Sequence, residues 1–128
     1  MAKTLSDTVL DGLLNILVLN VDRIGICSAQ PTTYAECTST FMLALATVVV
    51  GDTNQFTLAN GAVDGRKITS AAIASTVITN SGTATHIGFA KSSGTVFYGA
   101  NTLTASTALT ATNYVALATF TITVRDPT

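Results

Sequence analysis

Residues 83–100, TATHIGFAKSSGTVFYGA, decide the fold of this chain. From 83 to 90 the side chains alternate, with Thr85, Ile87 and Phe89 on one side. A period of two marks a strand with one buried face. Lys91-Ser92-Ser93-Gly94 then interrupts the alternation, and residues 95–100 resume it with valine and two aromatics. Two such runs joined by a short glycine-containing loop predict a β-hairpin.

Working outward, the same grammar recurs. Towards the C-terminus, residues 103–109 read as a weaker strand and residues 114–125 as a long one. Strict alternation along the long strand puts Tyr114, Ala116, Ala118, Phe120, Ile122 and Val124 on one face, and Val115, Leu117, Thr119, Thr121, Thr123 and Arg125 on the other. Asp126-Pro127 ends it, because proline cannot donate to a ladder. Towards the N-terminus, Asn80-Ser81-Gly82, Asp64-Gly65 and Asn60-Gly61 are turn signals that tolerate positive φ. They separate strand-like runs at 77–79, 66–74 and 56–59. Residues 41–50 form a hydrophobic run stopped by Gly51-Asp52; its length fits a buried strand, although 41–46 alone could be helical. Residues 34–40 read as a short strand or an extended arm, and residues 23–28 alternate with Ile24 and Ile26 on one face. About seven or eight short strands with closely spaced turns predict an antiparallel β-sandwich or barrel-like domain.

One stretch breaks this pattern. Across residues 5–20, Leu10, Leu13, Leu14 and Leu17 recur at helical spacing, continued by Val21. Ser6 suits the N-cap and Asp7 the positive end of the helix dipole. Gly12 weakens the helix by ~1 kcal/mol. The reading is therefore one mainly β domain over 1–128, with a single N-terminal α-helix at about 5–20 and strands between about 23 and 125. The leucine face must lie on the chain's own sheet or on a partner, which makes Leu10, Leu13, Leu14 and Leu17 candidate interface residues. Tyr98 joins them, since tyrosine is enriched at protein interfaces.

Composition bears on function. Apolar residues make up 48 % of the 128, and charged residues only 10 %, against about 25 % in an average soluble domain. Threonine supplies 24 positions. Charge is what normally blocks edge-to-edge association of sheets, so a surface of Thr, Ser and Ala suits contact with other protein chains. The net charge is −1, and the six Lys and Arg are scattered. A basic patch able to neutralise phosphates is missing, which argues against nucleic acid. The apolar stretch 13–21 is broken by asparagines and preceded by Asp7 and Asp11, unlike a signal peptide. It is too short and too interrupted for a membrane span. These features predict a soluble chain made in the cytoplasm.

Catalytic chemistry finds little to work with. His86 is the single histidine, on a predicted strand beside Ala84, Gly88 and Ala90, and lacks the nucleophile and orienting acid of a triad. The carboxylates fall mostly at predicted caps and turns. Asp52-Thr53-Asn54 is a thin imitation of a calcium loop. The run 61–67, GAVDGRK, lacks the Ser or Thr and the helix of a phosphate loop, so two turns explain it better; Arg66-Lys67 fits a solvated strand start, or contact with an acidic neighbour or a phosphate. Cys27 and Cys37 lack metal-ligand spacing and read as two free thiols or, alternatively, as a disulfide worth up to ~3 kcal/mol. No catalytic residue, cofactor or metal is expected.

The segments KTLSDTVLDGLLNILVLN (3–20), TTYAECTSTFMLA (32–44), GRKIT (65–69), SGTATHIGFA (81–90), GTVFYGANTLTA (94–105) and FTITVRDPT (120–128) resemble short virion proteins of tailed bacteriophages, from the head gene region. The resemblance implies a non-enzymatic structural role. Its first expectation is a capsid decoration, or cement, protein that binds the outer face of the major capsid protein shell, often as a trimer. The alternative is a tail or fibre component contacting a receptor or a neighbouring tail protein. Either way the implied partners are virion proteins and copies of the chain itself. The implied location is the virion, after synthesis in the bacterial cytoplasm.

Overall fold

The structure, a computed structural model, describes residues 5–51, 55–61 and 65–125. It is mainly β, with antiparallel sheets and one N-terminal helix, in a sandwich-like arrangement. Asp52-Thr53-Asn54, Asp64 and Asp126-Pro127, singled out above, lie outside the described residues.

The helix α1 spans Asp7–Asn20. Ser6 sits at its N-cap, but its hydroxyl makes no capping bond; its backbone carbonyl accepts from the amides of Val9 and Leu10 instead. Among the described residues nine strands follow: β1 Arg23–Cys27, β2 Met42–Thr47, β3 Phe56–Asn60, β4 Arg66–Ser70, β5 Ile73–Val77, β6 Gly82–Lys91, β7 Val96–Leu109, β8 Tyr114–Leu117 and β9 Phe120–Val124. They form a four-stranded sheet in the order β2-β1-β6-β7, a three-stranded sheet β3-β4-β9, and the pair β5-β8. The predicted hairpin is the β6–β7 unit. Its turn places Gly94 and Thr95 at positive φ, 81° and 51°.

The two large sheets face each other across the core. Ile24 and Ile26 of β1, Ile87 and Phe89 of β6, Phe56 of β3 and Ile68 of β4 are all buried there. Phe89 and Phe120 stack across the gap with ring centroids 5.6 Å apart, a favourable aromatic distance. Helix α1 adds Leu14 and Val18 to the same core and is tied to β4 by a bidentate ion pair: Arg66 Nε and Nη2 donate to the Asp11 carboxylate at 2.6 and 3.2 Å. Arg66 is thus taken up by an acidic neighbour within the chain rather than left as a solvated strand start.

Four expectations need correction. The run 66–74 is not one strand: it divides at Ala71-Ala72 into β4 and the start of β5. Residues 34–40 are not extended: they form a helical turn that ends in a π-helical stretch, Glu36–Thr40. Residues 96–109 are one continuous strand, not two. The long C-terminal strand is broken at Ala118-Thr119, and the break changes its phase. Val115 and Leu117 pack against the core before it, and Phe120, Ile122 and Val124 after it. Tyr114, assigned by strict alternation to the face of Phe120, is 67 % exposed. A slip of one position exchanges the faces of everything beyond it, and this slip lets one run of chain serve two sheets.

Candidate functional site

The residues that carry chemistry are spent on structure. The His86 ring is half-buried, with Nδ1 2.9 Å from the Thr85 hydroxyl, which itself donates to the Ser28 carbonyl at 3.0 Å. The Asp22 carboxylate accepts from the Ser92 amide at 2.8 Å and the Ser92 hydroxyl at 2.5 Å, clasping the β6–β7 turn to the start of β1. Burial pushes the Asp22 carboxyl upward, but the Ser92 bonds and the Arg23 guanidinium outweigh it and hold the group below its ordinary range. Among the described residues no three His, Cys, Asp or Glu side chains gather as a metal site would need.

Cys27 and Cys37 are free thiols, both fully buried, so the disulfide alternative is not realised. The Cys27 thiol donates to the Cys37 carbonyl at 3.6 Å. That neighbour and burial both push the Cys27 thiol up, which keeps it protonated and inert. The reason the pair is buried lies in two glycines. Gly25 and Gly88 face each other across β1 and β6, on the side of the sheet opposite the main core. A Cβ at Gly88 would lie 2.6 Å from Cys37 Sγ, and one at Gly25 would lie 2.9 Å from the same atom. The bare glycine patch is the seat on which the 31–41 segment rests. Glu36 fastens that segment by accepting from the Thr32 amide and hydroxyl at 2.7 and 2.8 Å, bonds that hold its carboxyl below the ordinary range.

What remains for interaction is surface. Of the candidate interface leucines, Leu10 and Leu14 are buried against the chain's own sheets and Leu17 is partly buried on the same core. They serve the fold and are not free to meet a partner. Tyr98 likewise packs against the core. Leu13 does face outward, and it has company: Val9, Leu13, Ile16 and Leu19 are exposed on α1, as is Leu5 just before it, from 39 % to 60 %. The Gly51 amide bonds the Val18 carbonyl and brings exposed Val49 and Val50 beside the C-terminal end of α1. The helix is apolar on both sides, and only one side is used. Residues 5, 9, 12, 16 and 19 repeat with the 4-3-4-3 spacing of a helix-packing seam. At its centre Gly12 has open space around it.

A second surface lies at the opposite end of the charge distribution. Residues 92–124 contain no Lys, Arg, Asp, Glu or His. This stretch builds an open cleft of about 550 Å³ between the outer edge of β7 and the β8–β9 run. Ile26, Ile87, Leu109 and Phe120 contribute apolar surface to it, while Thr104 and Thr119 mark its two walls. Of the residues on these two surfaces, only Leu13 is among the candidate interface residues read from the sequence. The signals that reveal them are a repeat spacing and an absence of charge.

No family model, no curated protein and no solved structure matches this chain. No described helix is long and apolar enough to cross a membrane.

Proposed function

We propose that this chain is a non-enzymatic assembly protein that seats itself on a larger particle through the outer face of α1. The particle we propose is the tailed-phage head, with the chain as a decoration protein on the outer face of the major capsid protein shell. The observation that carries the assembly reading is the apolar stripe of Val9, Leu13, Ile16 and Leu19, left uncovered on a helix whose other side already fills the core, with Leu5 exposed just before it. A helix apolar all round is normally buried all round. The low charge of the chain and the segments that resemble short virion proteins support the particle.

The test uses shells lacking this chain. Wild-type protein should co-sediment with them and protect them from heat. Leu13→Glu with Ile16→Glu should fold normally and lose about tenfold or more in occupancy, as expected for charges placed in the centre of an apolar contact. Unchanged occupancy would overturn the role of the helix. Labelled protein found on tails instead of heads would replace decoration with the tail or fibre alternative.

A further inference from the structure

We propose that two copies of this chain pair edge to edge along residues 96–102 of β7, antiparallel and related by a two-fold axis, so that their four-stranded sheets run on into one another. The contact lies away from the outer face of α1 and does not depend on the role given to that face.

The two edges of the β2-β1-β6-β7 sheet differ. The outer edge of β2 is occupied. The Thr79 and Asn80 amides donate to the Leu43 carbonyl at 2.7 and 3.1 Å, Asn80 Nδ2 donates to the Met42 carbonyl at 2.9 Å, and Ala44 bridges Ile78. β7, among the described residues, pairs with β6 and with nothing else. A free edge is a row of amide donors and carbonyl acceptors, normally guarded by lysine, proline or a covering element. Only part of this edge is regular. The ladder jumps from the Thr102–His86 pair to the Thr107–Ala84 pair, so β7 bulges at 103–106 opposite Thr85, and the bulge takes no part in the contact. The stretch ahead of it, VFYGANT, keeps step with β6 apart from one shift at Tyr98. It holds neither lysine nor proline, and no atom lies within 4 Å of where a Cβ on Gly99 would stand.

A second copy is the occupant this edge selects. Strand pairing needs a free edge on both sides, and the copy brings the same segment with its own edge free. In a two-fold antiparallel pair each residue faces itself or a close neighbour, and like charges directly opposite are destabilising. Self-pairing is therefore closed to a charged edge. Here it is open, because residues 92–124 contain no Lys, Arg, Asp, Glu or His. Gly99 and Ala100 keep bulk out of the middle of the contact, and exposed Thr102 is a residue that pairs favourably with its own kind across strands. An edge that selects a different protein does so with complementary charge, or with repulsion against the wrong partner. This edge has no charge for either. A two-fold contact closes at two copies, a count that departs from the trimer implied by the resemblance to virion proteins.

The experiment uses the full chain without shells, so its failure is distinct from failure of the decoration reading. Sedimentation equilibrium should show monomer passing to dimer between about 10 µM and about 1 mM, the weak range that suits a small contact. Over the same range, exchange of alternate amides within 99–102 should slow by about tenfold, as new backbone bonds require, while 103–106 should not change. Neighbouring residues of a strand point their amides to opposite sides. One of Ala100→Pro and Asn101→Pro therefore removes an outward amide and the other a bond to β6. The outward variant should keep the parent's melting temperature in dilute solution and stay monomeric. Should neither fold, Thr102→Lys and Thr102→Glu serve: each alone should dimerise less than the parent at low salt, and their mixture should dimerise more than either. Monomer throughout, a trimer, or a dimer without slowed exchange in 99–102 would overturn the proposal. So would a dimer that survives the outward proline, or one that responds to neither charge, or one lost instead on Leu13→Glu with Ile16→Glu, which would move the contact to α1.

Discussion

The two ends of the β2-β1-β6-β7 sheet are finished in opposite ways. At β1 and the adjoining part of β6 the sheet is covered on both faces: by the main core on one side, and by the 31–41 segment seated on Gly25 and Gly88 on the other. At β7 the edge is bare, the cleft is open and the surface carries no charge. The covered region leaves no room even for a methyl group. The open region holds a cleft of about 550 Å³. The contrast teaches that the fold's stability is concentrated near β1, and that the β7 edge is free to be used for something else.

The comparison can be broken first in the core. Leu14→Ala, at 2 % exposure under α1, should cost about 3 kcal/mol in urea unfolding, whereas Leu13→Ala, one position earlier, should change stability by less than about 0.5 kcal/mol. Equal effects would mean that α1 does not have an inside and an outside. Next, Gly88→Ala should cost about 2 kcal/mol, because the new methyl group meets Cys37 Sγ at 2.6 Å and Pro31 Cγ at 3.1 Å within a closely packed layer. A neutral result would show that the 31–41 cover is soft.

A smaller effect is expected at Asp22, where the bonds from Ser92 fasten the β6–β7 turn. Its folded pKa lies below its unfolded value, so the native state binds fewer protons there than the unfolded chain. The stabilisation is therefore complete above the unfolded carboxylate pKa, about 3.9, and is lost as pH falls through the lower folded value. Asp22→Asn should cost about 1 kcal/mol at neutral pH, with the gap from the parent closing in acid. A gap that stays constant from pH 7 to pH 2 would show that the carboxylate's charge is irrelevant to the clasp. Smallest of all, Thr104→Lys on the open wall should leave the melting temperature within the range of a typical surface change. A large loss there would show that the β7 edge is part of the stable body after all.

Much of the architecture was legible in the sequence, for physical reasons. The β6–β7 hairpin and α1 announce themselves because period two and period 3.6 are local properties of the chain. The break at Ala118-Thr119 was not legible. Both residues fit a strand, and the phase changes only because two different sheets compete for the same run. The helical turn at 34–40 was hidden by its β-branched threonines; it forms because Cys37 must reach the glycine seat, a demand set by residues far away in sequence. For the candidate surfaces, Leu10 and Leu14 were drawn to the interface because a helix with leucine on every side does not state which side faces in. Leu5, Val9, Ile16 and Leu19 needed the structure to be seen as its outside.

The uncharged run from Ser92 to Val124 has a further consequence. With no Lys, Arg, Asp, Glu or His of its own, it offers counter-ions little to screen within a Debye length of about 8 Å at physiological ionic strength. Apolar contact weakens on cooling. Whatever settles on that part of the molecule should hold in brine, hold across a wide span of acidity, and let go in the cold.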